Sequence, residues 1–378
     1  MISTLDIENF KCFSALRFRV SALTLLTGYN AGGKSSAVQP LLLLAQSTRH
    51  NPLRQSIILN GPHIRLGTVG DVLPTNKALS NLVFKISEKD IEFTWRAIAK
   101  AGERKFEVTE SISPELELLE IISGNLVAET KTKLLATLTT LSYLSAIRQG
   151  PSDAYPTPES SEDSAVDVGI DGRYAPYWYD QFVDEEVGEH RRHPNEPASS
   201  FRKQADAWLS TLFPGAKVNV QHNAQMALYA LQFRNSDFGD WRRPSNVGYG
   251  FSYAFPIIVA LLAAAEEQVI VIDSPEAHLH PYAQSQMGRI ISHFAAAGVQ
   301  IIVETHSDHF LNGVRLAVKD NKLAPSDLQV HFFTGATDSG HGVLSLNIDK
   351  DGRIADWPEG FFDQSERDIA RLSGWEQT

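Results

Sequence analysis

Residues Gly28-Tyr-Asn-Ala-Gly-Gly33-Lys34-Ser35 fit the pattern G-x-x-x-x-G-K-[ST] in full. This loop is confined to one setting: a buried strand must feed it and a helix must leave it. Both are present. Leu23 to Leu26 form a short apolar run ending at Gly28, and residues 34–47 read as a helix with Leu41 to Leu44 as its apolar block. Glycines at these places let the backbone wrap a phosphate chain with its N–H groups turned inward. The following helix offers its N-terminal dipole to the anion. Lys34 can reach the β- and γ-phosphates and Ser35 can ligate Mg²⁺. Gly28, Asn30, Gly32, Gly33, Lys34, Ser35 and Ser36 are therefore the candidate nucleotide-binding residues.

A loop of this kind needs a carboxylate at the end of a neighbouring strand, on the metal side. Val269-Ile-Val-Ile-Asp273 supplies four β-branched residues and then the acid. Asp273 and Ser35 are the candidate Mg²⁺ residues. Glu276 is the nearest further carboxylate that could orient an attacking water. A third apolar run, Val299 to Glu304, ends in Thr305-His306-Ser307. A histidine at that strand end can reach a γ-phosphate, because ligands of such sheets sit at the carboxyl edge. Asp273, Glu276 and His306 are thus the candidate catalytic residues. The same histidine, with His278, His280 and His309, also permits a transition-metal reading, although no other ligand spacing supports it. A second glycine-rich element, Asn246-Val-Gly248-Tyr-Gly250-Phe-Ser252, precedes an apolar helix. Gly248, Gly250 and Ser252 could hold a phosphate, including one presented by an opposite subunit.

After residue 250 helices and strands alternate: helix 251–267, strand 269–273, helix 282–297, strand 299–304, helix 307–319, strand 329–333. That order implies a parallel sheet with crossovers. The spacing of Leu116, Leu119, Ile122, Leu126, Leu134, Leu138 and Leu141 predicts helix across 114–147. No internal repeat or sustained heptad occurs. Residues 151–200 hold six prolines and carry a charge of −9, three arginines against twelve acidic residues. They read as an irregular insertion, with an aromatic cluster (Tyr174, Tyr177, Trp178, Tyr179, Phe182) that must pack on something. The whole chain carries −11, so residues outside this stretch are close to neutral. The acidity therefore gives little argument against a DNA-facing surface. A single cysteine, Cys12, excludes an internal disulfide framework and a cysteine-built zinc site. Neither a signal peptide nor an apolar stretch of the roughly 20 residues that span a bilayer is present. The reading is a cytoplasmic protein without membrane partners.

Taken in order, Asn9-Phe10-Lys11, the loop 28–36, Gly248-x-Gly250-x-Ser252, Asp273-Ser-Pro-Glu-Ala-His-Leu-His-Pro281 and Glu304-Thr-His306-Ser307 resemble the RecF/SMC-like branch of ABC-type ATPases. They are most similar to the OLD-like bacterial ATPases. The tail 351–363 is similar to that of a group of short bacterial ATPases. The resemblance covers roughly residues 1–75 and 240–363. It implies an α/β P-loop NTPase head of the ABC type, with a mixed and largely parallel sheet, over residues 1–110 and 215–378. Residues 111–214 would be a helical and acidic, proline-rich insertion.

The resemblance also implies ATP and Mg²⁺ as ligands, and ATP sandwiched between two heads in a homodimer or higher oligomer. Lys34 and Ser35 of one head would face Gly248–Ser252 of the other. Asp273 would be the Walker B acid and His306 the switch histidine. Two departures stand out. The family places a catalytic Glu directly after the Walker B acid, where this chain has Ser274, and serine is no general base at neutral pH unaided. The Toprim nuclease domain of OLD proteins is not expected within these 378 residues, so a nuclease would be a separate effector.

Three functions follow as alternatives. One is a slowly hydrolysing ATPase that dimerises around ATP and switches an effector or a DNA-directed activity, in DNA repair or phage defence. The second is a non-hydrolysing ATP-gated scaffold, motivated by Ser274. The third is a P-loop small-molecule kinase, in which Gly248–Ser252 and His306 have no task.

Overall fold

The computed structural model describes residues 1–50, 56–74, 81–88, 91–98, 102–112, 133–159, 166–337 and 340–374. Its first strands are β1 (Thr4–Phe10), β2 (Phe13–Arg19) and β3 (Leu23–Gly28), followed by helix α1 (Lys34–His50). Then come β4 (Ser56–Ile58), the single turn α2 (Val69–Val72), β5 (Leu82–Glu88), β6 (Ile91–Ile98) and β7 (Lys105–Ile112). The middle holds α3 (Lys133–Thr140), β8 (Ser142–Leu144), β9 (Tyr155–Pro156), α4 (Ala175–Phe182) and α5 (Phe201–Leu212). Next are β10 (Lys217–Asn223), β11 (Leu228–Arg234), α6 (Tyr249–Ala263), β12 (Val269–Asp273), α7 (Pro281–Ala296) and β13 (Gln300–Glu304). The chain closes with α8 (Asp308–Lys319), β14 (Leu328–Thr337), β15 (Gly340–Leu346) and α9 (Gln364–Leu372).

The central sheet has the order β15-β14-β3-β13-β12-β8. Its four pairings from β14 to β8 are parallel, and β15 adds an antiparallel edge. The three strands read as phosphate-facing from sequence are neighbours here, with β13 between β3 and β12. A strand buried on both faces must be apolar throughout, and successive side chains point to opposite sides. Accordingly Leu23, Leu25, Ile270, Ile272, Ile301 and Val303 enter one core with α6 and α7. Leu26, Val269, Val271 and Ile302 enter the other, with α1 and α3.

That second core is closed by an antiparallel sheet of order β2-β1-β5-β6-β7-β4. Leu5 and Ile7 of β1 point into it, the period-2 pattern of a half-buried strand. Leu41 to Leu44 are buried on all sides because α1 lies between the two sheets. Each such leucine stabilises the fold by about 2 kcal/mol. α1 thereby fixes the direction in which Lys34 and Ser35 leave the loop. On the far side, α6 is apolar all round and correspondingly buried.

Two expectations need correction. The helix expected across 114–147 lies partly outside the described residues, including Leu116, Leu119, Ile122 and Leu126. Within them it stops at Thr140, and Ser142–Leu144 pair in parallel with Ile270–Ile272 of β12. A short apolar run does not by itself distinguish a buried strand from a helix end. The edge of the central sheet decides this one, so part of the stretch 111–214 belongs to the same sheet as the phosphate loop. Likewise residues 151–200 are not irregular throughout. Pro176 sits in the first turn of α4, where its missing N–H costs nothing. Tyr179 packs 5.8 Å from Phe255 of α6, and Trp178 stacks on Phe182 at 5.9 Å. Among the described residues no helix is long and apolar enough to cross a membrane.

Candidate functional site

The loop after β3 is held against its own sheet. Gly28 has φ +130°, and a Cβ there would lie 2.2 Å from the Phe333 carbonyl oxygen of β14. Gly33 has φ +105°, and a Cβ would meet the Phe13 ring at 2.7 Å. Ala31 also adopts a left-handed backbone, φ 59°. The Tyr29 N–H donates to Phe333 O at 3.1 Å, and the Gly32 N–H to Tyr29 O at 3.1 Å. Glycine is required here because backbone approaches backbone, and β3 and β14 set that approach.

Lys34 opens α1 yet is only 3% exposed. Its ammonium donates to Gly28 O at 3.1 Å and Tyr29 O at 2.8 Å. Burial lowers its pKa, and Glu304 and Asp273 partly restore it. The Ser35 hydroxyl donates to the Glu304 carboxylate at 3.0 Å. Register places Asp273 of β12 directly beside Glu304 of β13. Burial first, and the Asp273 charge second, push Glu304 up to about 7. A cavity of about 500 Å³ is lined by Lys11, Cys12, residues 30–36, Glu304 and His306. Its backbone N–H groups, helix start and lysine make it an anion cradle.

The two neighbouring strand ends are tied together. The Ser274 N–H donates to Glu304 O at 2.8 Å, and the Ser274 hydroxyl donates to the Asp273 carboxylate at 2.8 Å. Ser274 has φ +49°, a conformation costing a non-glycine residue about 1 kcal/mol. Glu276 accepts the His306 N–H at 2.8 Å. Burial raises the Glu276 pKa, while the His306 N–H and the Thr305 hydroxyl act to lower it. His306 lines the cavity; burial and then the Lys34 charge lower its pKa, which favours the neutral imidazole. Ser307 caps α8 by accepting the Phe310 N–H at 3.0 Å.

The fold thus brings Asn30, Gly32, Gly33, Lys34, Ser35, Ser36 and His306 around one cavity, with Asp273 at the adjoining strand end. Glu276 sits behind His306 and is not part of the cavity lining. Gly248, Gly250 and Ser252 are also absent from it. Gly248 is the exposed N-cap of α6. Ser252, a turn further on, is 5% exposed, and its hydroxyl has no hydrogen-bond partner among the described residues. Glu304 escaped the sequence reading as a site residue. Its signal was the same as that of Asp273, an acid ending an apolar strand, but it was read only as the lead-in to His306.

Ser35 and Asp273 supply hard oxygen donors at the loop. Mg²⁺ commonly takes one or two protein oxygens and completes its shell with phosphate and water, so these residues fit that ion. Among the described residues no group of three or more His, Cys, Asp or Glu could hold a metal ion. His280 instead caps α7, its ring accepting the Tyr282 N–H at 3.3 Å.

Comparison with known proteins gives the family and the fold. The family model "AAA domain, putative AbiEii toxin, Type IV TA system" matches residues 23–312. A second, "Protein of unknown function (DUF3696)", matches residues 323–372. No curated protein matches. Among solved structures, the Smc head domain with an extended coiled coil, bound to the C-terminal domain of ScpA and derived from Pyrococcus furiosus, is 12% identical with TM-score 0.52. It covers 98% of this chain and 99% of that one. An SMC head bound to the C-winged helix domain of ScpA is 14% identical with TM-score 0.50, over 92% and 98% of the two chains. At such identities the likeness is one of fold. The model spanning 23–312 covers most of the chain, so the protein belongs to that AAA domain family, an ATP-binding ATPase with an ABC-type head fold.

Proposed function

We propose that the chain binds ATP along Gly28–Ser36 and hydrolyses it slowly. Two heads close around the nucleotide, and their closing and opening switches a separate effector or a DNA-directed activity. DNA repair and phage defence are the settings that the family resemblance suggests. One observation carries this reading. Lys34, Ser35, Glu304 and His306 surround a single cavity at the carboxyl ends of adjacent parallel strands.

The roles follow from the contacts. Lys34 exchanges two main-chain carbonyls for the β- and γ-phosphate oxygens, which are stronger acceptors for a charged donor. Ser35 and Asp273 are the residues that would hold Mg²⁺. When bound, that ion neutralises phosphate charge. His306 donates to or accepts from the γ-phosphate region. The Glu276 link to the His306 N–H keeps that residue in place. Closure is a population shift: nucleotide contacts that exist only in the closed pair stabilise it. Gly248 and Tyr249, exposed at the start of α6, are the part of the signature segment free to meet a second head.

The test is ATP turnover and particle size in the presence and absence of ATP, with Lys34→Ala as the control. The expected result is release of ADP and phosphate, and an ATP-dependent dimer, both lost in Lys34→Ala. An unchanged monomer with Lys34→Ala indistinguishable from the wild type refutes the proposal. A second reading, a clamp that binds ATP without hydrolysing it, is favoured by Ser274, whose hydroxyl is committed to Asp273. ATP-dependent dimerisation without phosphate release would select it.

A further inference from the structure

Arg148 follows β8 in a stretch that none of the sequence motifs touches. It is 4% exposed. One guanidinium nitrogen donates to the Asp273 carbonyl at 2.8 Å and another to the Ser274 carbonyl at 3.1 Å. Its Nε is buried and has no hydrogen-bond partner among the described residues. No carboxylate lies within ion-pair distance of it among those residues. The guanidinium carbon sits 5.6 Å from the Tyr253 ring centroid on α6, and Tyr253 in turn meets the His278 ring at 4.4 Å.

A buried guanidinium is ordinarily matched with a carboxylate. Here its two prongs grip main-chain oxygens on either side of the strand end that carries the metal-side acid. The need is local. Ser274 holds a left-handed backbone, φ +49°, and such a conformation persists only when its surroundings over-determine it. The Ser274 N–H is fixed from one side by Glu304 O at 2.8 Å, and Arg148 fixes the carbonyls from the other. The segment carrying Arg148 is itself anchored: the Ser145 N–H donates to Ile170 O at 2.8 Å and the Gln149 N–H to Asp171 O at 2.9 Å.

We infer that Arg148 is a positioning residue for the ATPase, a two-pronged brace that sets the direction of the Asp273 carboxylate and joins it to α6 and to the 166–172 segment. It acts through Asp273 and touches no part of the cavity around Lys34. Its effect therefore falls on turnover rather than on nucleotide binding, since misplacing a catalytic group by about 1 Å costs on the order of a hundredfold. The inference rests on the ATPase reading above.

The experiment measures kcat and KM for ATP in the full chain, with affinity for a fluorescent ATP analogue, for wild type, Arg148→Lys, Arg148→Met and Lys34→Ala. Lysine keeps the buried charge and cannot reproduce the fork. Arg148→Lys is expected to lower kcat on the order of tenfold, with KM and analogue affinity within about twofold. Arg148→Met is expected to lower kcat further with the same split. If Arg148→Met does not fold, Arg148→Lys carries the test; if neither folds, the guanidinium is structural and the inference falls. Wild-type kcat in Arg148→Lys, or parallel loss of turnover and affinity, also overturns it. Turnover lost in Lys34→Ala but intact in Arg148→Lys overturns this inference alone. Turnover equal in wild type and Lys34→Ala overturns the ATPase reading and this inference with it.

Discussion

Two glycine-rich segments open helices in this protein, and they are built on opposite principles. At the phosphate loop, Gly28 and Gly33 are required by the chain itself: both have positive φ, and a Cβ at either would run into neighbouring atoms. At the start of α6, Gly248 has φ −61° and ψ 146°, and a Cβ there would meet nothing within 4 Å. The first segment is shaped from inside, by β14 and β2. The second is free on its outer side at Gly248, so any demand for glycine at that position must come from something outside the chain. The sequence patterns look alike, but Gly248 is not explained by the fold, whereas buried Gly250 two residues on is crowded by His278 O at 3.1 Å and by the Phe213 ring at 3.2 Å.

The largest expected effect tests the first half of that contrast. Gly28→Ala combines a left-handed backbone with a 2.2 Å approach to Phe333 O, neither of which the sheet can relieve without parting β3 from β14. The expected cost is about 3 kcal/mol or more, read by urea unfolding, with loss of ATP binding in whatever remains folded. A variant as stable as the wild type would mean that the loop is not pinned by β14.

The next effect concerns charge. Without nucleotide, the phosphate loop side holds Glu304 beside Asp273, and its pKa rises to about 7 from an ordinary value near 4.3. An acid with a raised folded-state pKa favours the fold while protonated. Its contribution is complete below about pH 4 and is lost as pH rises through 7. Glu304→Gln removes that dependence. Unfolding free energies from pH 5 to 8.5 are expected to show the variant gaining on the wild type by on the order of 2 kcal/mol as pH rises. Parallel pH curves would show that Glu304 is not held under this tension.

How much of this could be read beforehand follows from what local pattern encodes. The phosphate loop, Asp273 and His306 were legible because each stands where an apolar strand ends, and strand ends of one sheet must converge. Helices α6 to α8 were legible from the alternation of helical and strand patterns after residue 250. Glu304 was not, because its importance lies in the register that sets it beside Asp273. β8 read as the end of a helix because its assignment is made by β12, more than a hundred residues away. α4 was hidden among prolines whose capping role is invisible without the helix. Arg148 carries no local signal, since its partners are main-chain oxygens with no side-chain identity to recognise.

The smallest expected effect bears on the second half of the contrast. Gly248→Ala places a methyl group in open space on an exposed residue whose backbone angles suit alanine. Stability should change by less than about 0.5 kcal/mol, and the turnover of a single head should not change. What it should impair is ATP-dependent dimerisation, because a facing nucleotide would need the bare backbone at that helix start. The measurement is the ATP concentration at half-dimer, with thermal unfolding as the control. A normal dimer in Gly248→Ala would show that the exposed helix start is not what the second head meets. The two glycine segments would then differ only in how tightly their own chain packs around them.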